Sequence, residues 1–421
     1  MKKYIYVLFV TALLCASCAK EEQQPIVDDG YWPIKYGYLH FGTEVSSRAS
    51  LVEDMKGKSF GVISYEYSST TNWGTAKSTA KPGSFYNHRV NCDTNGVCTY
   101  DIDNANATSG TNPKEWGEDR YAFFAYHPYG GTGISLSNKD AVNTPTLTYT
   151  YGWLNGSLNP TVNEKWINNN RQVVAYHDEV PIYDVMTAEN VDASGKSNDR
   201  VTLDFKHRMF ALEVLANNYN ENEYKYITDT EGNYVLDANG KKQYELDEDG
   251  NKKIVTSARQ NITNLTLKLE GLKYTSMTIP ISMSEEDMSS MTKYTAGNVG
   301  TPVFKLSEDT VEIPAFNEQT EDGRGMGVAT SISQFGSKNG GYLFLIPQEG
   351  TNTGIHGTLN WVELASFDTT DNEVSNEFES TIEFKAGKLY QVYINFVGSG
   401  ITIAIIEAGN WDSHTVIHRF E

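Results

Sequence analysis

The sequence lacks the short motifs that mark most enzymes. It contains no Gly-x-Ser-x-Gly, no His-Glu-x-x-His, no phosphate-binding Gly-Lys-Thr and no dinucleotide glycine fingerprint. Its eight histidines are scattered, and we interpret His207, on the apolar face of a predicted strand, as a hydrogen-bonded core residue. We therefore predict a protein that is not an enzyme and that uses no cofactor and no metal ion.

Basic residues are also scarce. The chain has 34 Lys and Arg against 54 Asp and Glu, which gives a formal net charge of −20. An acidic surface repels phosphate backbones and anionic lipid headgroups. We therefore exclude nucleic acid as a partner.

Long apolar runs are confined to the N-terminus. Lys2 and Lys3 precede an apolar run over residues 4–14, and small residues then precede Cys18. This order is typical of a lipoprotein signal peptide, and the apolar run is too short to span a bilayer. We predict cleavage before Cys18 and lipidation (palmitate) of Cys18, with an ordinary signal peptide as the alternative.

Cysteine is rare in the rest of the chain, where only Cys92 and Cys98 remain. They flank Asn95-Gly96, a strong signal for a tight hairpin turn. Facing residues of a hairpin can reach disulfide geometry, and an oxidising export route permits the bond. We predict a disulfide that acts as a structural clip; free thiols and metal ligands are the alternatives.

Helical periodicity is nearly absent, and alternation of apolar and polar residues dominates. Leu39, Phe41 and Val45 share one face of the first predicted strand, in the period of two that marks a half-buried strand. Further strands are predicted at 59–65, 120–126, 146–151, 388–396 and 401–406. The best helix candidate spans 284–291, with Ser284 as N-cap. Apolar residues occupy odd-numbered positions in 201–207 but even-numbered positions in 210–214. This shift of parity predicts a bulge or bend in one strand.

The chain is too long for one sandwich core, since 421 − 18 leaves 403 residues. We predict an all-β protein with a signal peptide (1–18), a tether (19–35), an N-terminal β-sandwich (36–192) and a C-terminal β-sandwich (197–421). An acidic hairpin insertion is predicted at 224–256, where three units begin at Tyr226, Tyr234 and Tyr244 and end in Asp/Asn-Gly turns. Calcium binding is the alternative for this insertion, although the EF-hand register is not met.

Several stretches together resemble the fimbrillin family of Bacteroidetes. They are the lipoprotein start with Lys20-Glu21-Glu22, Ser47-Arg48-Ala49, and the segments 122–129, 203–207, 384–390 and 401–403, followed by Trp411. The matches spread over nearly the whole mature chain. The resemblance implies two tandem transthyretin-like Greek-key β-sandwiches, export to the outer membrane and cell surface, and assembly into a type V pilus (fimbrium) that mediates adhesion.

In that family a trypsin-like protease cuts after an arginine behind the first strand, and a strand of another subunit fills the groove that opens. The resemblance places this cut between Arg48 and Ala49, and the displaced strand at Leu39, Phe41 and Val45. The alternative is that Arg48 is an ordinary exposed loop arginine.

The resemblance also implies partners. They are other fimbrial subunits, the outer-membrane lipid that holds Cys18 before processing, and a host or bacterial surface receptor. The candidates for a donated strand lie near the C-terminus: Ile401, Ile403, Ile405, Val416 and Phe420. The 224–256 insertion and the charged terminus depart from the family and leave a tip or accessory subunit open.

A second hypothesis is a surface glycan-binding lipoprotein of a polysaccharide-uptake system. It depends on tryptophans in polar loops that could stack on sugars: Trp73, Trp116, Trp153 and Trp166. The other interpretation of these residues is that they cover small cores.

Overall fold

The computed structural model describes residues 41–45, 55, 57–94, 98–100, 119–137, 145–154, 174–176, 182–194, 201–306, 310–317, 330–332, 342–348, 355–364 and 372–410. Six residues with predicted roles in lipidation, processing or strand exchange lie outside these ranges: Cys18, Leu39, Arg48, Ala49, Val416 and Phe420. Their predicted roles stay predictions.

Strands dominate the described part of the chain. The strands of the first half are β1 (Phe41–Val45), β2 (Ser59–Tyr67), β3 (Lys81–Cys92), β4 (Cys98–Tyr100), β5 (Arg120–His127), β6 (Ile134–Ser137), β7 (Thr146–Thr150), β8 (Val174–Tyr176), β9 (Met186–Ser194) and β10 (Val201–His207). Those of the second half are β11 (Phe210–Asn218), β12 (Glu223–Tyr224), β13 (Ile254–Thr256), β14 (Gln260–Glu270), β15 (Tyr274–Pro280), β16 (Lys293–Ala296), β17 (Val303–Lys305), β18 (Val311–Ile313), β19 (Thr330–Ser331), β20 (Leu343–Leu345), β21 (His356–Glu363), β22 (Asn372–Glu379), β23 (Lys388–Val397) and β24 (Gly400–Asn410). The prediction of an all-β protein is confirmed.

Helices are short. The described residues hold α1 (Trp73–Ala76), α2 (Glu285–Met291) and a 3₁₀ turn (Gly152–Leu154). The predicted cap of α2 is confirmed, because the Ser284 side chain accepts a hydrogen bond from the backbone N–H of Asp287, which satisfies one of the unpaired donors of the first turn.

Seven of the first-half strands form a sheet that closes on itself in the order β1-β10-β9-β5-β2-β3-β4, with β4 paired back to β1. Its interior is filled by one apolar cluster, which we call the ring core: Met55, Phe60, Val62, Phe85, Val90, Cys92, Cys98, Tyr121, Phe123, Ala125, Met186, Ala188, Val201, Leu203 and Phe205. Strands β2 and β5 are buried on both faces, because their alternate residues enter a second, larger core outside the ring. This explains why residues 120–126 are almost continuously apolar.

Two of the remaining sheets mix strands from both halves of the sequence. Strand β7 pairs with β15, β8 pairs with β17, and β11, β23 and β24 form a separate sheet together with β19 and β20. The sheets pack around the larger core. The division of the chain at 192–197 stays a prediction, and β10, just after it, completes the first sheet.

The parity shift after residue 207 marks a change of sheet. The chain leaves β10 at His207, passes Arg208 and Met209, and enters β11, which pairs with β23 in another sheet. The apolar residues of β10 face the ring core, and those of β11 face the larger core. The sequence predicted a bulge or bend within one strand; the structure instead has two strands, because each has a different core to cover.

Residues 223–256 form a projection that we call the arm. Its two ends are β12 and β13, which pair with each other. The predicted Asp/Asn-Gly turns are confirmed, since Gly232, Gly240 and Gly250 all have positive φ, a conformation open to glycine at little cost. The units do not form a simple hairpin. Instead, backbone hydrogen bonds join the units in two closed cycles of three residues, and within a cycle each residue's N–H donates to the carbonyl oxygen of another member. One cycle consists of Ile227, Val235 and Gln243. The other consists of Lys225, Glu245 and Lys253.

Candidate functional site

The place of the first strand in the closed sheet is the candidate site, and we call it the β1 slot. Strand β1 lies parallel to β10, with a register that runs from Phe41 opposite Val201 to Val45 opposite Phe205. On its other side it meets β4 where Phe41 lies opposite Cys98. Strand β1 is therefore the member that joins the two ends of the sheet.

The β10 wall of the slot is anchored by burial. Val201, Leu203 and Phe205 alternate along the strand and are at most 1% exposed. Phe205 also makes an edge-to-face contact with Phe60 of β2, with ring centroids 5.2 Å apart. Between these residues, Asp204 points to the opposite side and forms an ion pair with Lys206. The alternation predicted for residues 201–207 is confirmed.

The β4 wall is much shorter. Its three residues pair with the end of β3, and Cys92 lies directly opposite Cys98. These two cysteines form the predicted disulfide, and both side chains are buried in the ring core. Tyr100, the last residue of β4, makes an edge-to-face contact with Phe85 at 5.0 Å between ring centroids.

Buried polar groups lie where β10 ends. The Nδ1 atom of His207 is 2.8 Å from a carboxylate oxygen of Asp184, and both side chains are almost fully buried. His207 is thus a hydrogen-bonded core residue, as predicted. Its partner Asp184 was missed, because it lies in a stretch without a motif or a clear period.

His127, at the end of β5, contributes a second, partly buried imidazole. Burial, followed by the nearby positive charge of Lys58, lowers the pKa of His127 from 6.5 to about 4. The ring is therefore neutral at physiological pH, and its Nδ1 lies 2.8 Å from the carbonyl oxygen of Ser59, to which it donates. This bond ties the end of β5 to the start of β2.

Arg208 links the closed sheet to α2. Its guanidinium donates to Thr187 of β9 and to Glu285 in the first turn of the helix. Glu189 accepts from the backbone N–H of Glu285, and burial raises the pKa of Glu189. The geometry of these groups shows a structural junction, in which each polar group holds an element in place.

The donor-strand candidates that the structure describes lie on β24. Ile401, Ile403 and Ile405 are partly buried against the larger core. Strand β24 pairs with β23 over ten register positions, from Lys388 opposite Asn410 to Val397 opposite Gly400. The structure therefore places these isoleucines in a different sheet from the β1 slot.

Trp73 bears on the glycan hypothesis. It is buried, with 5% of its surface exposed, and it stacks on Tyr65 and contacts Phe124. It covers a core and presents no open face to a sugar. Trp116 and Trp166 lie outside the described residues, as does the side chain of Trp153.

The described residues contain neither a cluster of metal-binding side chains nor a helix that could span a membrane. Within these ranges, no group of three or more His, Cys, Asp or Glu side chains could hold a metal ion. Among the helices of the same residues, none has the length and apolar character needed to cross a bilayer. In the arm, the Asp229, Asp237 and Asp247 side chains accept hydrogen bonds from the backbone of their own turns, so the described geometry lends no support to calcium binding there.

Comparison with known proteins gave structural similarities only. No protein-family model and no curated protein matches the sequence. A fimbrial protein from Bacteroides vulgatus is 15% identical, with a TM-score of 0.47, over 88% of this chain and 99% of its own. A "putative cell adhesion protein" from Bacteroides ovatus is 13% identical, with a TM-score of 0.44, over 91% of this chain and 99% of its own. Another "putative cell adhesion protein", from Bacteroides uniformis, is 12% identical, with a TM-score of 0.40, over 90% of this chain and 100% of its own.

Proposed function

We propose that this protein is a fimbrial subunit or fimbrillin-like surface adhesin, exported as an outer-membrane lipoprotein through Cys18. In this proposal, cleavage after Arg48 releases β1, and a strand of another subunit takes its place in the closed sheet. The observation that carries the proposal is the position of β1. It is the first strand of the described chain, and it lies between β10 and β4, at the point where the sheet closes.

The energetics of the slot support replacement of the strand. Loss of β1 would uncover the row formed by Val201, Leu203 and Phe205, which are buried in the intact ring. Re-burying three such side chains contributes roughly 5–9 kcal/mol, at ~1.5–3 kcal/mol each. Each restored backbone hydrogen bond adds about 0.5–1.5 kcal/mol. A second subunit that supplies a strand recovers both contributions, which is the physical basis of β-strand addition.

The donor in this proposal is the extreme C-terminus. Strand β24 is already held by ten register positions on β23, so donating Ile401, Ile403 and Ile405 would require a sheet to come apart. Val416 and Phe420 follow β24 and can be donated while β24 stays in place. We therefore favour the terminal segment over β24 as the donor.

The proposal is tested by limited trypsin treatment of the full mature protein. We expect a new N-terminus at Ala49, followed by oligomers that resist heating in detergent. An Arg48→Ala variant should yield neither, because the cleavable bond is removed. Arg48→Lys is the matched control, since trypsin also cuts after lysine, and it should behave as the wild type.

Normal oligomer formation by the Arg48→Ala variant would contradict processing at this site. Oligomers that form from the Arg48→Lys protein but still contain β1 would contradict strand replacement.

A further inference from the structure

The two walls of the β1 slot are held by different means. Strand β10 is seven residues long, it pairs with β9 as well as with β1, and its apolar face is buried in the ring core. Strand β4 has only three residues; it pairs with β3 on its far side, and Cys98 is its one buried residue. A strand of this length makes few backbone hydrogen bonds, each contributing about 0.5–1.5 kcal/mol. Its position therefore depends on some further constraint.

The disulfide supplies that constraint. It joins Cys92, the last residue of β3, to Cys98, the first residue of β4. Because the two residues are direct partners in the register, the bond fixes β4 beside β3 at the end where the chain turns. While the bond is closed, the first residue of β4 cannot move away from the last residue of β3.

Cys98 is also the residue of β4 that meets the first strand, opposite Phe41. The covalent bond and the contact with β1 therefore fall on the same residue. We infer that the Cys92–Cys98 disulfide is a positioning device for the β1 slot: it holds the β4 wall and so sets how firmly the strand in the slot is retained. Its bearing on strand replacement rests on the proposed function.

The test is amide hydrogen exchange on the full mature protein in its oxidised and reduced forms. Dithiothreitol supplies two electrons and two protons; the sulfur–sulfur bond breaks, Cys92 and Cys98 become thiols, and the reagent closes into a cyclic disulfide. We expect amides of Phe41–Val45 and Cys98–Tyr100 to exchange about tenfold faster or more after reduction, which is the scale of the lost loop constraint.

Two comparisons keep the test specific. A Cys92→Ser/Cys98→Ser variant should show the fast exchange without reductant and no further change when reductant is added. Amides of β11 and β23, which pair with each other in a different sheet, should exchange at the same rate in all samples. Unchanged exchange at Phe41–Val45 after reduction, whether or not Cys98–Tyr100 is released, would overturn the inference.

The exchange experiment can succeed or fail independently of the proposed function. If the oxidised protein is cut by trypsin but forms no oligomers, strand replacement is wrong, whereas the effect of the disulfide on β1 is still measured by exchange in the uncut protein.

Discussion

The closed sheet and the arm both contain short strands, yet different forces hold them. In the closed sheet the side chains of Phe60, Leu203 and Phe205 are completely buried. In the arm, large apolar side chains lie in solvent, and Leu236 and Leu246 are 54% and 57% exposed. Short strands thus persist in one region because they cover a core, and in the other because of local hydrogen bonds and ring contacts.

The local contacts of the arm repeat from one unit to the next. The rings of Tyr226 and Tyr244 stack with centroids 4.7 Å apart. The ammonium of Lys242 lies 3.7 Å from the ring centroid of Tyr234, and that of Lys252 lies 4.1 Å from Tyr244. Such contacts are worth about 0.5–1 kcal/mol each at exposed sites. We therefore expect changes in the arm to act locally and changes in the closed sheet to act on the whole fold.

The largest effect is expected from Phe205→Ala. Truncating this fully buried ring leaves a cavity beside Phe60, and such changes cost about 3–5 kcal/mol. Urea unfolding should show this loss as a lower midpoint. The control is Leu246→Ala in the arm, for which we expect less than about 0.5 kcal/mol. Equal costs for the two variants would contradict the distinction between the regions.

A smaller effect is expected from the protonation of His127. Its pKa of about 4 in the folded protein lies below the ordinary 6.5, so the unfolded chain binds a proton first as the pH falls. Neutral His127 makes its full contribution to the free energy of unfolding above about pH 6.5, and this contribution is lost as the pH falls towards 4. The full pKa difference corresponds to about 3 kcal/mol. Because the side chain is only partly buried and solvent screens its charge, we expect a loss on the order of 1–2 kcal/mol.

The measurement is urea unfolding at several pH values between 4 and 7. His127→Gln should flatten the dependence on pH, because the amide can still donate to Ser59 but does not titrate. His356→Gln, which replaces an exposed histidine side chain on β21, is the control and should keep the wild-type slope. An unchanged slope in His127→Gln would show that other groups cause the dependence.

The smallest effect on the whole protein is expected from Asp237→Ala. The Asp237 carboxylate accepts from the backbone N–H groups of Asn239 and Lys241, and losing each bond costs about 1 kcal/mol. We expect faster amide exchange within the arm and an unchanged midpoint of global unfolding. Asp249→Ala is the matched control: it removes the same charge, but the backbone N–H of Asp249 still donates to Asp247. A lower global midpoint for Asp237→Ala would show that the arm is part of the main cooperative unit.

The strands themselves could largely be predicted from the sequence. Residues 59–65, 120–126 and 388–396 were recognised from apolar alternation or runs, and they correspond to β2, β5 and β23. The cap at Ser284, the disulfide and the turns of the arm were also predicted. In each case the signal is local, because a few neighbouring residues determine the period, the turn or the cap.

The partners of the strands could not be predicted. Nothing near residue 41 specifies that β1 lies parallel to β10, and nothing near residue 276 specifies that β15 pairs with β7. Such pairing is decided by which apolar faces share a core, a property of residues far apart in the sequence. The same reason explains why Asp184 and His127 were missed, since their importance comes from burial beside residues of other strands.

The pairing of β12 with β13 has a practical consequence. Because Glu223 lies opposite Thr256, the chain enters and leaves the arm at points about 5 Å apart, the ordinary spacing of neighbouring strands. A two-residue turn could bridge that distance, so the arm can be excised as a cassette. An epitope or a fluorescent label grafted there would stand clear of both cores and would give a handle for detecting the folded protein.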